Sequence, residues 1–205
     1  METLAGSLLD VAVANWTHSG DGECGDVYLI EPYPDGLLIA VIDGIGHGTE
    51  AAKVSQLAIS ILKSHVKEPV NELIKQCHLA LRGTRGAVVA LASFRAHPGS
   101  MTWTGVGNVE GKFFAKGFPN APLTLLSTSG TLGQSEPIEV HPFKVPIDIG
   151  DTLILATDGV RSDFYLGLDM RQSPRELADR ILARSVLHKD DAMIVVARYQ
   201  GAAHE

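Results

Sequence analysis

Two apolar segments of this sequence end in the same dipeptide, Asp-Gly. Residues Leu37 to Ile42 run into Asp43-Gly44, and Thr152 to Thr157 run into Asp158-Gly159. A carboxylate at the end of a buried strand is costly unless it is hydrogen-bonded, ion-paired or bound to a metal. A glycine after it lets a backbone carbonyl approach the same cation. One Asp-Gly alone is more often an ordinary turn, because both residues favour turns, but two copies favour a shared site.

Further acidic residues stand at the ends of other predicted strands. Asp26 opens one strand, and Asp190-Asp191 directly precede the last one. If they cluster, Asp26, Asp43, Asp158 and Asp190 carry four negative charges, which two divalent ions would neutralise. Oxygen ligands favour magnesium or manganese, and the lack of a Cys or His cluster disfavours zinc and copper. Two such ions about 3.5 to 4 Å apart activate water for displacement at phosphorus, so the predicted chemistry is phosphoester hydrolysis.

Short aliphatic and β-branched segments, bounded by Gly, Pro or Asp, predict the strands that position these residues. Tyr33-Pro-Asp-Gly36 predicts a tight turn between two antiparallel strands. The predicted strands are Asp10 to Asn15, Val27 to Glu31, Leu37 to Asp43, Ala87 to Phe94, Met101 to Val106, Gly111 to Ala115, Ile138 to Val145, Thr152 to Thr157 and Ala192 to Tyr199.

Helical periodicity predicts two consecutive helices between Gly48 and Leu81, divided at Pro69. A third helix is predicted after Ser173-Pro-Arg-Glu176, which has the pattern of a capping box. Strands that follow one another, interrupted by a helical pair and a late helix, are typical of the α+β class with antiparallel sheets. We expect one domain over residues 1–205 and a frayed tail at Ala202 to Glu205.

The composition of the chain argues against several classes of protein. The chain has 205 residues, 45% hydrophobic and 20% charged, with a net charge of -7, which suits a compact domain. The sequence has no run of Lys or Arg, and this argues against nucleic-acid binding. Cys24 and Cys77 form no disulfide framework or zinc pattern. Met1 to Asp10 lacks the pattern of a signal peptide, and no apolar run approaches the roughly 20 residues of a membrane span, so a cytoplasmic protein is expected.

Six motifs occur in order along nearly the whole chain: Gly25-Asp26, Asp43-Gly-Ile-Gly-His-Gly48, Gly105-Val-Gly-Asn108, Thr128-Ser-Gly-Thr131, Thr157-Asp-Gly159 and Lys189-Asp-Asp191. Their order and spacing resemble the metal-dependent PPM-type serine/threonine phosphatases, especially the short bacterial branch that acts on sporulation and stress-response regulators. The resemblance implies an α-β-β-α fold, a β-sandwich of two antiparallel sheets flanked by helices on both outer faces.

The resemblance also implies roles for the acidic residues. Asp43 would bridge two Mn²⁺ or Mg²⁺ ions, and Gly44 would offer its carbonyl to one of them. Asp158 and Asp190 would bind the other ion, and Asp26 would reach the metals directly or through water. Asp191 would either ligate a metal or orient the site by hydrogen bonding. Asp43, Asp158 and Asp190 are therefore the predicted catalytic residues.

Three departures from the family pattern affect the mechanism. Ile45 stands where the larger eukaryotic members have a histidine that is proposed as the general acid, and His47 is either catalytic or an ordinary loop residue. No arginine occurs near the N-terminus to hold phosphate, so the substrate would depend mainly on metals and water. Asn108 replaces an aspartate that some relatives use for a third ion. The general acid stays unassigned.

The predicted function is hydrolysis of phosphoserine or phosphothreonine on a protein by metal-activated water, without a covalent intermediate. The resemblance implies phosphorylated STAS-domain scaffold proteins of the bacterial stressosome as partners, with the phosphatase acting as a monomer. Two alternatives remain open: a phosphoprotein-binding module that has lost turnover, and a small-molecule phosphohydrolase. Cys24 is not expected to act as a nucleophile, because the sequence shows no activating neighbour.

Overall fold

The structure, a computed structural model, describes residues 8–18, 23–134 and 137–201. The tail predicted at residues 202–205 lies outside these ranges. Within them the elements are β1 (Leu9–Trp16), β2 (Asp26–Tyr33), β3 (Gly36–Gly44), α1 (Thr49–Ser64), α2 (Val70–Ala80), β4 (Ala87–Arg95), β5 (Ser100–Val106), β6 (Glu110–Phe114), β7 (Leu123–Leu125), β8 (Phe143–Pro146), β9 (Thr152–Ala156), α3 (Pro174–Ser185) and β10 (Ala192–Tyr199).

The strands form two five-stranded sheets whose neighbours are all antiparallel. One sheet has the order β1-β10-β9-β6-β7 and the other the order β2-β3-β4-β5-β8. We call them the β10 sheet and the β3 sheet. The turn at Tyr33 to Gly36 joins β2 to β3 with Tyr33 paired to Gly36, which confirms the predicted hairpin.

The central strands are apolar on both faces, because each sheet is covered on both sides. In β3, Leu37, Ile39 and Val41 pack between the two sheets. The alternating residues Leu38, Ala40 and Ile42 pack against α1 and α2 instead. The β10 sheet is built in the same way, with α3 on its outer face. The predicted sandwich with helices on both outer faces is confirmed.

The third helix begins where its capping box predicts. The Ser173 hydroxyl accepts a hydrogen bond from the Glu176 N–H, and the Glu176 carboxylate accepts one from the Ser173 N–H at 2.8 Å. Leu177 and Ile181 are fully buried against the β10 sheet. No helix in residues 8–18, 23–134 and 137–201 has both the length and the apolar character needed to cross a membrane.

Two strand predictions need correction. The strand predicted over Ile138 to Val145 is limited to Phe143–Pro146, because Ile138 and Val140 pack beside the helical layer without joining a strand. The short strand Leu123–Leu125 was not predicted, since three residues are too few for a clear alternation of apolar and polar positions. It pairs with β6 at the edge of the β10 sheet.

Candidate metal centre

The predicted acidic residues meet at one end of the sandwich. Asp26 and Asp43 are directly opposite each other across β2 and β3. Asp158 follows the end of β9, and Asp190 precedes β10, its antiparallel neighbour. A surface cleft is lined by Asp43, Asp158 and Asp190, so both sheets contribute carboxylates to it.

Asp26 is held from the opposite sheet. Its side chain is 3% exposed, and its Oδ2 accepts a hydrogen bond of 2.7 Å from the Thr157 hydroxyl. The Thr157 Oγ1 in turn accepts one from the Met193 N–H at 2.8 Å. Thr157 therefore fixes the orientation of Asp26. Its role was missed at the sequence level, where its position before Asp158 was the only available signal.

Asp191 is an acceptor for backbone groups that are distant in sequence. It is 4% exposed, and its two carboxylate oxygens accept hydrogen bonds from the His18 N–H at 2.8 Å and the Gly25 N–H at 2.7 Å. These bonds attach the residues before Asp26 to the start of β10. Of the two roles considered for Asp191, this geometry favours orientation of the site.

Asp158 and Asp190 are the exposed members of the group. The Asn108 side-chain amide donates a hydrogen bond of 2.8 Å to Asp158 Oδ2. Asp190 Oδ1 accepts a bond of 2.9 Å from the Asp191 N–H. Asn108, considered above only in relation to a third metal, thus positions the carboxylate of Asp158.

Burial and mutual repulsion raise the pKa values of these carboxyls. Burial raises the pKa of Asp43 to about 8, with added repulsion from Asp26, Asp158 and the 190–191 pair. Burial likewise raises the pKa of Asp26 to about 7, although the hydrogen bond from Thr157 opposes the shift. The pKa of Asp158 is raised by burial and by Asp190. Carboxyls shifted in this way are stabilised in their charged form by a nearby cation.

The carboxylates that line the cleft suit a hydrated divalent ion rather than a closed protein cage. Within residues 8–18, 23–134 and 137–201, no three His, Cys, Asp or Glu side chains form a group that could hold a metal as they stand. Magnesium, however, keeps several waters and is commonly bound through only one or two carboxylates. Asp43, Asp158 and Asp190 around an acidic cleft therefore fit hydrated Mg²⁺ or Mn²⁺ better than a closed protein cage.

Close packing requires glycine at both Asp-Gly positions, whether or not a metal is bound. A Cβ on Gly44 would collide with the Ala51 carbonyl and come within 2.6 Å of the Ser55 hydroxyl, both on α1. A Cβ on Gly159 would collide with the Asp191 carbonyl. Glycine thus permits the close approach of neighbouring backbone at both turns.

The remaining candidates differ in position and chemistry. Ile45 lines the cleft and is 40% exposed. His47 is exposed and does not line the cleft; its ring faces that of His18, with centroids 6.4 Å apart. The pKa of the Cys24 thiol is raised to about 12, chiefly by burial and then by Asp191. A thiol with that pKa is a poor nucleophile at neutral pH, as expected from the sequence.

Known proteins share both the sequence pattern and the fold. Residues 33–200 match the family of stage II sporulation protein E, SpoIIE. The phosphoserine phosphatase RsbX of Bacillus subtilis is 25% identical over 181 residues, which cover 87% of this chain and 89% of RsbX. A crystal structure of RsbX in complex with magnesium superposes with a TM-score of 0.83 at 23% identity and covers 94% of this chain and 96% of that one.

Two further solved structures extend this comparison. One comes from work on the bacterial stressosome as a modular system adapted to control secondary messenger signalling. It is 30% identical, with a TM-score of 0.83, and covers 93% of this chain and 99% of that one. The structure containing the PP2C phosphatase domain of SpoIIE from Bacillus subtilis has a TM-score of 0.79 at 20% identity and covers 96% of this chain and 64% of that one. The chain therefore belongs to the SpoIIE family and has the fold of the PP2C-type, or PPM-type, serine/threonine phosphatases.

Proposed function

We propose that this protein is a metal-dependent protein phosphatase that hydrolyses phosphoserine or phosphothreonine on a bacterial stress-signalling protein. The observation that carries the proposal is the convergence of Asp43, Asp158 and Asp190 from two sheets on one acidic cleft. The similarity to RsbX, a phosphoserine phosphatase, over 87% of the chain supports it.

The metal ligands follow from this proposal. Asp43 would be shared by two divalent ions, and the Gly44 carbonyl would contribute to the binding of one of them. Asp158 and Asp190 would hold the second ion, and Asp26 would act directly or through water. Magnesium or manganese suits these oxygen donors, and the magnesium complex of RsbX supports that choice. When bound, the ions supply Lewis acidity and a water of lowered pKa for in-line displacement at phosphorus.

The side chains around the ligands keep them in place. Thr157 directs one oxygen of Asp26, and Asn108 directs one oxygen of Asp158. Asp191 holds Gly25, and with it the start of β2, against β10. Because the pKa of Asp43 is about 8 in the metal-free protein, part of the Asp43 population is protonated at neutral pH. Metal binding therefore releases protons from this site.

The proposed substrate is a phosphorylated residue on the surface of a folded protein. The cleft is accessible, since Ile45, Asp158 and Asp190 at its border are exposed. The 30% identical chain from the bacterial stressosome study supports a partner in that system. We infer that STAS-domain scaffold proteins of a stressosome are the substrates and that the enzyme acts on them as a monomer.

The decisive experiment measures phosphate release from a serine-phosphorylated STAS-domain protein with Mn²⁺ or Mg²⁺ present. We expect the chelator EDTA to abolish turnover. Asp43→Asn should lower kcat/KM by about 10²- to 10³-fold, because the several kcal/mol of charge stabilisation by the metals is lost. The matched control is Asp169→Asn, the same substitution at a carboxylate paired with Arg171 on the surface, which should leave kcat/KM unchanged.

Near-normal turnover of a folded Asp43→Asn variant with metal present would sink the proposal. Absence of turnover in the wild type, together with tight binding of the phosphoprotein, would indicate a binding module instead. Comparable kcat/KM values for p-nitrophenyl phosphate and the phosphoprotein would favour a small-molecule phosphohydrolase.

A further inference from the structure

Arg85 lies beside the turn that lines the acidic cleft and itself lines a neighbouring surface pocket with Glu50 and Lys53. It lies in the loop between α2 and β4. Its Nη1 sits over Gly46, since a Cβ placed on Gly46 would be only 2.9 Å from that nitrogen. Gly46 lines the cleft together with Asp43 and Asp158. The guanidinium therefore lies next to a turn that lines the proposed catalytic site.

The backbone around Arg85 is attached to the turn that follows Asp43. The Ile45 N–H donates a hydrogen bond of 3.0 Å to the Gly86 carbonyl. On the other side of Arg85, the Thr84 hydroxyl accepts a bond of 3.0 Å from the Gly86 N–H and donates one of 2.7 Å to the Leu81 carbonyl. These bonds hold the backbone on both sides of Arg85 against the turn that follows Asp43.

The guanidinium of Arg85 has donors available for a ligand. In residues 8–18, 23–134 and 137–201, no hydrogen bond or salt bridge involves its side chain, which belongs to an exposed residue. Arg161 and Arg171, by contrast, each use their donors on an aspartate two residues away. Arg95, also without such partners, lies opposite Gly36 at the other end of β3 from Asp43.

A phosphate monoester approaching this cleft meets mainly negative charge. An arginine beside the cleft offsets that repulsion, and its planar fork can donate two parallel hydrogen bonds to phosphate oxygens. We propose that Arg85 is a substrate-binding residue that contacts the phosphate oxygens. This extends the sequence-based expectation that phosphate depends mainly on metals and water, and it rests on the proposed function for the identity of the phosphoester.

The test measures equilibrium binding of inorganic phosphate to the full chain loaded with magnesium, so that it does not depend on turnover. Arg85→Ala should bind phosphate roughly 10- to 100-fold more weakly, the usual effect of losing charge-assisted hydrogen bonds. Arg85→Lys should bind with intermediate affinity, because it keeps the charge and loses the fork. Arg82→Ala removes an exposed arginine from the same loop and should bind like the wild type.

Equal phosphate affinity in wild type and Arg85→Ala would overturn the inference, as would an equal loss in Arg82→Ala, which would indicate only a general effect of charge. A wild type that binds no phosphate would also overturn it. If phosphate binding depends on Arg85 while the wild type shows no turnover, the inference stands and the proposed function fails. If turnover occurs and phosphate binding does not depend on Arg85, the proposed function stands and the inference fails.

Discussion

The loop segment 161–171 before α3 and the cleft at the end of β3 both contain aspartates, and the pKa values of these aspartates shift in opposite directions. In the loop, the Arg171 side chain hydrogen-bonds Asp169 and lowers its pKa to about 2. In the cleft, burial raises the pKa of Asp26 to about 7 and that of Asp43 to about 8. The residue type is the same, but Asp169 lies at the surface beside an arginine, whereas Asp26 and Asp43 are largely buried and face other carboxylates.

This contrast distinguishes a surface ion pair from a functional site. Exposed pairs such as Arg171–Asp169 contribute little to stability because solvent screens them. Buried carboxylates that repel one another oppose folding of the metal-free protein, and such groups are concentrated at functional sites. Under the proposed function, the same repulsion that lowers the stability of the metal-free protein favours binding of a divalent cation.

The largest expected effect is on the pH dependence of folding. The pKa of Asp43 is raised from its ordinary value of 3.8 to about 8, so the folded metal-free protein binds more protons than the unfolded chain between these values. Its free energy of unfolding should fall as pH rises from about 4 to about 8, by roughly 3 to 5 kcal/mol. Urea unfolding across this range with EDTA present measures the fall.

Three comparisons sharpen that test. Asp43→Asn should make the pH dependence less steep, because it removes the carboxyl whose pKa is raised to about 8, while Asp26 keeps a raised pKa. Saturating Mg²⁺ should also flatten it, because the ion stabilises the charged form. Asp169→Asn should not change the slope, since the pKa of Asp169 lies below the window. An equally steep slope in Asp43→Asn would contradict the assignment of that pKa.

A smaller effect is expected from removing the acceptor that holds the N-terminal segment. Asp191→Ala leaves the His18 and Gly25 N–H groups without their partner, and hydrogen bonds to charged groups contribute about 1.5 to 3 kcal/mol. We expect the free energy of unfolding of the metal-free protein to fall by about 2 to 4 kcal/mol. Asp190→Ala is the matched control at the neighbouring exposed position and should have a smaller effect. Equal stability of the two variants would show that Asp191 does not act as this anchor.

The smallest effect is expected at Asn108. Asn108→Ala removes the hydrogen bond that orients Asp158, and loss of such a partner typically weakens metal binding by about 10- to 100-fold. We expect a value near the lower limit because both residues are exposed. Titration of turnover with Mg²⁺ measures the change, with Asn120→Ala, in an exposed loop, as the control. If turnover in Asn108→Ala depends on Mg²⁺ concentration as in the wild type, Asn108 does not position Asp158 for metal binding.

Much of the fold could be predicted because its signals are local. The capping box before α3, the turn after Tyr33 and the apolar run from Leu37 to Ile42 each correspond to the observed structure. The strand predicted from Ile138 was wrong in part, because an apolar residue can pack under a helical layer without pairing. Sequence periodicity does not distinguish these two environments.

The sequence by itself determined which residues could bind cations, since Asp43, Asp158 and Asp190 stand where apolar strands end or begin. Only the tertiary structure decided which residues support them. Thr157 reaches Asp26 from the opposite sheet, Asn108 reaches Asp158, and Arg85 reaches the turn beside the cleft from the loop after α2. The physical reason is that strand ends and turns are specified by neighbouring residues, whereas these contacts join residues 39 to 131 positions apart. They exist only after distant strands have paired or, for Thr157 and Asp26, after the two sheets have packed.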